Sequence, residues 1–261
     1  MKRAVFIFAS LLLLPSASLY AELGLARENF GVWDREGLHA VADYPYARGQ
    51  SLDMSWEQVN PARNTFDWSE INQKLQSAEV QNQAFTCKVS PIDQSAPTKS
   101  MPGWMFSAGV PSFSESGTAA AAYVYGHYLD PEFKIYFEEM VKSLASYLRT
   151  SSSITASQRA RIAFVRVDTG ATGDEEPYEN APLVPAQYQI AADAWQAHRR
   201  WVFELYRQAF QEGPGPIIPL LFVTVEPPDQ QAQWDWILAN VKGGFGIKHG
   251  GQLRGHHLTE S

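Results

Sequence analysis

The chain has 261 residues, a formal net charge of −7 and one cysteine. An acidic balance without a clustered excess of Lys and Arg excludes a surface built for nucleic acid. A single cysteine excludes an intramolecular disulfide and a cysteine-based metal centre, so stability has to come from burial.

In chain order, Lys2 and Arg3 precede an apolar run from Ala4 to Leu14, and Leu19-Tyr20-Ala21 offers a small-residue cleavage position. This pattern predicts a secretory signal peptide over 1–21, hence a secreted or periplasmic protein with one mature domain over 22–261. No other stretch reaches the roughly 18 apolar residues that a membrane span needs. Phe30 to Trp33 is a short apolar piece that reads as a first strand. Ser51 to Val59 alternates and predicts a second, ended at Asn60-Pro61. Ser69 is a candidate helix N-cap, followed by Ile71, Leu75 and Ala78 at helical spacing up to Val80. Ala84 to Val89 is a third strand holding Cys87, which reads as a buried, inert thiol.

A long loop with Pro97, Pro102 and Pro111 leads to Asp130-Pro131, a helix start, and to a stripe of Phe133, Tyr136, Phe137, Met140, Val141, Leu144 and Leu148. The stretch Arg161 to Tyr178 then runs from a buried strand, Ile162 to Val167, into a loop carrying Asp168, Asp174, Glu175 and Glu176. That loop reads either as a functional strand end or as a solvated acidic turn. Pro185 predicts the start of a second long helix that ends at Gly213. Ile217 to Val225 is a fifth strand leading to Glu226-Pro227-Pro228, Gln231 to Val241 a short helix, and Phe245 to Lys248 a sixth strand.

Strands alternating with helices predict parallel βα units, about six of them. No GxGxxG follows the first strand, which argues against a doubly wound nucleotide-binding sheet. The expected fold is therefore α/β, a (β/α)8 TIM barrel, whose polar strand-end loops form one functional face. Aromatic content is 13%, with eight Trp and eleven Tyr. In an acidic, exported chain these rings suit either sugar stacking or ordinary core packing.

Trp56-Glu57-Gln58-Val59-Asn60-Pro61, followed by Phe66-Asp67-Trp68, resembles the segment after the second strand of clan A glycoside hydrolases. Pro102-Gly103-Trp104 resembles the Pro-Ala-Trp of glycoside hydrolase family 42 and its β-galactosidase-like relatives, with one position changed. The resemblance covers about residues 30 to 180. It implies a carbohydrate substrate, an acid/base glutamate at the end of strand four, usually as Asn-Glu, and a nucleophile glutamate at the end of strand seven. Strand four here ends without Asn-Glu, so the resemblance carries over to a place on the fold and makes Asp174 and Glu175 the candidate proton donors. Glycoside hydrolysis needs a second carboxylate, for which Glu226 at the end of strand five is a candidate. Trp56, Glu57, Asp93, Trp104, Asp168 and Tyr178 are candidate substrate-binding residues.

His249, His256 and His257 form the alternative metal-binding cluster, and Asp174-Glu175-Glu176 lacks EF-hand spacing, so neither a metal nor another cofactor is expected. Past Phe245 too few residues remain for strands seven and eight of a barrel of about 250 residues. The expectation is an incomplete barrel, with the nucleophile beyond the chain end. Two functions follow from different classes: a glycoside hydrolase, or a non-catalytic carbohydrate-binding barrel.

Overall fold

The computed structural model describes residues 32–35, 45–92, 100–115, 123–171, 176–178, 184–224, 230–242 and 244–249. The signal-peptide reading over 1–21 lies outside the described residues.

Six strands form one parallel sheet: β1 (Val32–Arg35), β2 (Ala47–Ser55), β3 (Ala84–Ser90), β6 (Ile162–Arg166), β7 (Leu220–Thr224) and β8 (Phe245–His249). Their order in space is their order in the chain, β1-β2-β3-β6-β7-β8, and every pairing is parallel. Right-handed crossovers that never reverse direction put all connecting helices on one face. A doubly wound sheet would reverse and be covered on both. The sheet is accordingly a curled part of a (β/α) barrel with its helices outside, and among the described residues it is incomplete, with β1 and β8 as its edges.

The outer layer consists of α2 (Ser69–Val80) on β2 and β3, α4 (Pro131–Thr150) against α6 (Ala192–Gln211), and α6 and α7 (Gln230–Asn240) on β7. Helix α4 starts where Asp130 Oδ1 accepts from the amides of Glu132 (2.9 Å) and Phe133 (3.2 Å), with Pro131 in the first turn. Its stripe from Phe133 to Leu148 is buried. Phe133 and Phe137 meet the Trp56 ring edge-on at 5.6 and 5.4 Å. The far end of α6 is closed by Arg149, whose guanidinium donates to the carbonyls of Ala209 (2.6 Å), Gly215 (3.2 Å) and Pro216 (2.9 Å).

Several boundaries differ from the sequence expectation, each for a local reason. The second strand stops at Ser55, because its hydroxyl accepts from the Gln58 amide (3.2 Å) and caps a helical turn, α1 (Trp56–Val59). In helix α2, Ser69 is the first residue and not the cap: Trp68 holds the cap position without a side-chain bond, and the Asp67 carboxylate before it accepts from the Ser69 amide at 2.9 Å. After Pro185 only a 3-10 turn forms, Ala186–Tyr188. The Tyr178 hydroxyl donates to the Tyr188 carbonyl (2.9 Å), and the chain stays extended until α6 begins at Ala192.

Four further elements lie where the sequence reads as loop or connection: α3 (Gly103–Ser107), the antiparallel pair β4 (Ser112–Glu115) and β5 (Tyr123–Gly126), and α5 (Ala156–Arg159) with a Thr155/Gln158 capping box.

Candidate functional site

Side chains alternate between the two faces of a strand. On the helix-covered face lie Leu52, Met54, Phe85, Cys87, Val89, Val165, Val167, Leu220 and Phe222, all buried. The register aligns Leu52 with Cys87, Cys87 with Val165, and Val165 with Leu220. Burial pushes the Cys87 thiol up to about 12. The opposite face is the inside of the curl. It begins at the strand starts with an apolar layer, where Trp33 meets Phe164 edge-on at 5.0 Å. A side chain at Gly49 would collide with the Trp33 ring and with the Ala84 backbone, so only glycine admits this contact.

Towards the C-terminal ends of the strands the inner face becomes charged. Asp53 on β2 is aligned with Lys88 on β3, and Arg166 on β6 projects to the same side. The Arg166 guanidinium reaches across β3 to the Asp53 carboxylate and to the Leu52 carbonyl. Lys88 Nζ lies 3.0 Å from Asp168 Oδ2 and 4.0 Å from Asp53 Oδ2. The Ser90 hydroxyl donates to the same Asp168 oxygen at 2.6 Å. Asp168 Oδ1 accepts from the Gly170 amide at 3.3 Å.

The loop after β6 leaves from this cluster. Its ends are joined by the Ala171 amide donating to the Glu176 carbonyl (2.8 Å). A Cβ at Gly170 would fall on that same Glu176 carbonyl, so the close approach needs glycine. Behind it the fully buried Arg199 of α6 donates to the Val223 carbonyl (2.6 Å) and to Thr169 Oγ1 (3.3 Å), linking the ends of β6 and β7.

Of the residues singled out from sequence, Asp168 lies in this cluster. Trp56 is completely buried; its Nε1 donates to Asn60 Oδ1 (3.1 Å) and its ring is enclosed by Phe133 and Phe137, so no face is open to a sugar. Tyr178 is also buried, edge-on to Phe113 (5.1 Å) and Tyr125 (5.2 Å). Trp104 is half-buried, its Nε1 donating to the Asn60 carbonyl (2.8 Å) and its ring lying edge-on to Tyr136. Glu57 is half-buried in the first turn of α1. Asp93, Asp174, Glu175 and Glu226 lie outside the described residues, as do His256 and His257.

Lys88, Ser90, Arg166 and Asp53 are not among the candidates that the sequence offers. The signal for the charged three is a lone charge inside an otherwise apolar strand, which burial tolerates only when it is paired. Among the described residues no group of three or more His, Cys, Asp and Glu side chains converges as a metal site, and no helix is long and apolar enough to cross a membrane.

No protein-family model matches the sequence. No curated protein matches it either. Solved structures similar to it include xylanase 10B from Thermotoga petrophila in complex with xylobiose, with 12% identity, a TM-score of 0.41, and coverage of 83% of this chain and 58% of that one. Xylanase B from Clostridium stercorarium also gives 12% identity and a TM-score of 0.41, covering 87% of this chain and 64% of that one. A polyextremophilic β-galactosidase from Halorubrum lacusprofundi gives 11% identity and a TM-score of 0.40, over 76% of this chain and 37% of that one. The chain thus spans between 37% and 64% of these proteins' lengths. The fold assignment rests on strand order and pairing, not on these scores.

Proposed function

We propose that this chain carries the strand-end face of a glycoside hydrolase acting on β-linked, galactose-type oligo- or polysaccharide. The observation that carries the reading is the singly wound parallel sheet whose inner face gathers the charges of Asp53, Lys88, Arg166 and Asp168 towards its C-terminal edge, where (β/α) barrels assemble their chemistry. The loop bearing Asp174 and Glu175 starts and returns at that edge, between Ala171 and Glu176. In this reading Glu175 or Asp174 protonates the leaving oxygen, and Glu226 in the segment after β7 is the candidate second carboxylate. Asp168, Glu57 and Trp104, with Asp93, are the candidate substrate-facing residues of the loops and short helices after β2, β3 and β6. Asp168 serves there as an anchor, since two side-chain donors already occupy one of its oxygens.

Hydrolysis of aryl β-galactosides and of plant and algal polysaccharides by the chain and by Asp174→Asn and Glu175→Gln variants tests the assignment. Loss of about 100-fold or more in one variant is expected for a general acid. Full activity in both variants removes it.

One observation favours a second reading, a carbohydrate-binding barrel without catalysis. The described inner-face carboxylates, Asp53 and Asp168, are both paired with cations, which suits hydroxyl recognition better than proton donation. Saturable binding of a neutral oligosaccharide with no hydrolysis in any variant would decide for it.

A further inference from the structure

The β3–β6 backbone ladder ends early. Its last aligned pair is Cys87 with Val165, yet both chains continue side by side towards the functional edge. Beyond that pair the connection is made by side chains. Lys88 Nζ (3.0 Å) and Ser90 Oγ (2.6 Å) both donate to one oxygen of Asp168, two residues past the end of β6. The other oxygen accepts from the Gly170 amide (3.3 Å). Asp168 is 3% exposed, so these bonds are sheltered from water and each is worth more than at a surface. Lys88 also stands 4.0 Å from Asp53, which Arg166 holds from the far side of β3. A continuous line of charge therefore crosses three strands and ends on a backbone amide at the base of the loop after β6.

We propose that Lys88 and Ser90 are positioning residues that act through Asp168, so that β3 holds the base of the loop after β6 at Gly170 and Ala171. Strand β6 ends at Arg166; on its β7 side the Val167 amide still donates to the Leu221 carbonyl (2.9 Å), whereas on its β3 side no aligned pair follows Cys87 with Val165. Asp168 supplies the missing register: it is gripped by β3 on one oxygen and grips the loop with the other. Two other contacts at the loop base have different reach: Ala171 amide to Glu176 carbonyl closes the loop upon itself, and Arg199 ties Thr169 to the end of β7, on the side away from β3. The importance of this grip for turnover rests on the glycosidase reading, whereas the grip itself does not.

Hydrogen exchange on the full chain, read at peptide level, tests the grip in Lys88→Met and Ser90→Ala, with Lys88→Arg as the conservative control. Expected is a rise of about tenfold in exchange at Gly170 and Ala171 for Lys88→Met and Ser90→Ala, the size of one lost sheltered hydrogen bond. Protection of β2 and of β3 up to Cys87 stays at the parent level, and Lys88→Arg restores most of the loss. Unchanged exchange at Gly170 and Ala171 in both variants overturns the proposal. A rise spread over the whole sheet overturns it as well, because Lys88 would then be supporting the fold at large. Should Lys88→Met fail to fold, Ser90→Ala keeps the test, since it removes one hydroxyl and leaves the charges in place. On an aryl β-galactoside the same variants should lower kcat more than they raise KM. Absence of hydrolysis in the parent chain sinks the glycosidase reading alone, since the exchange comparison uses no substrate.

Discussion

Asp53 and Arg166 are charges set in apolar strands, and the sheet tolerates them because each lies beside the other, with side-chain exposures of 10% and 16%. Removing one partner strands the other in a site that water barely reaches. Asp53→Asn is expected to cost about 3 kcal/mol in urea unfolding, and a loss under 0.5 kcal/mol would mean that Arg166 finds another acceptor. His198 is a different case. It is stacked on Trp195 at 4.9 Å, edge-on to Tyr128 at 5.5 Å, and its Nδ1 has no hydrogen-bond partner among the described residues. Burial, with Lys134 and Arg199 nearby, depresses its pKa from 6.5 to about 3. The unfolded chain therefore binds a proton between about pH 6.5 and 3 that the folded chain refuses. Stability from this group is complete above pH 6.5 and falls as the pH drops towards 3, by up to roughly 5 kcal/mol. His198→Phe should flatten that acid limb. An identical pH profile for variant and parent would show that other groups cause it.

At the scale of elements, long apolar runs and helix starts were readable and short elements were not. The α4 start was visible in Asp130-Pro131 because capping is local chemistry, and the structure confirms that cap. Asp130→Ala should cost about 1 kcal/mol. The β4–β5 pair was invisible because its two four-residue strands lie in a Pro- and Ser-rich stretch. What holds it is non-local: Phe113 stacks on Tyr125 across the pair at 5.5 Å and on Tyr188 at 4.8 Å, beyond the reach of any periodicity. The displaced second strand, expected over Ser51 to Val59 and found over Ala47–Ser55, has the same origin at its end, since alternation does not reveal that the Ser55 hydroxyl will cap a turn. Arg149 is a still longer-range device, meeting carbonyls 60 to 67 residues away. Arg149→Met should lower stability by about 3 kcal/mol, because several carbonyls at the end of α6 lose their donor at once. A shift below 1 kcal/mol would show that water replaces it.

For the whole molecule, six apolar runs in sequence order were enough to anticipate the six-stranded parallel sheet, because sequential right-handed units have few other ways to pack. The inner face was less legible. Alternation reports that a strand has two sides, but which side the helices cover depends on the curl of the entire sheet, and so Lys88 and Arg166 do not stand out in the sequence whereas Trp56 and Tyr178, both enclosed, do. Cys87 sits at the centre of this architecture, completely buried on β3 between Leu52 and Val165. Being the sole thiol of the chain, and one held protonated by burial, it gives the protein a built-in stopwatch. A thiol reagent can mark the chain only when the middle of the sheet parts, so the labelling rate counts those partings one molecule at a time.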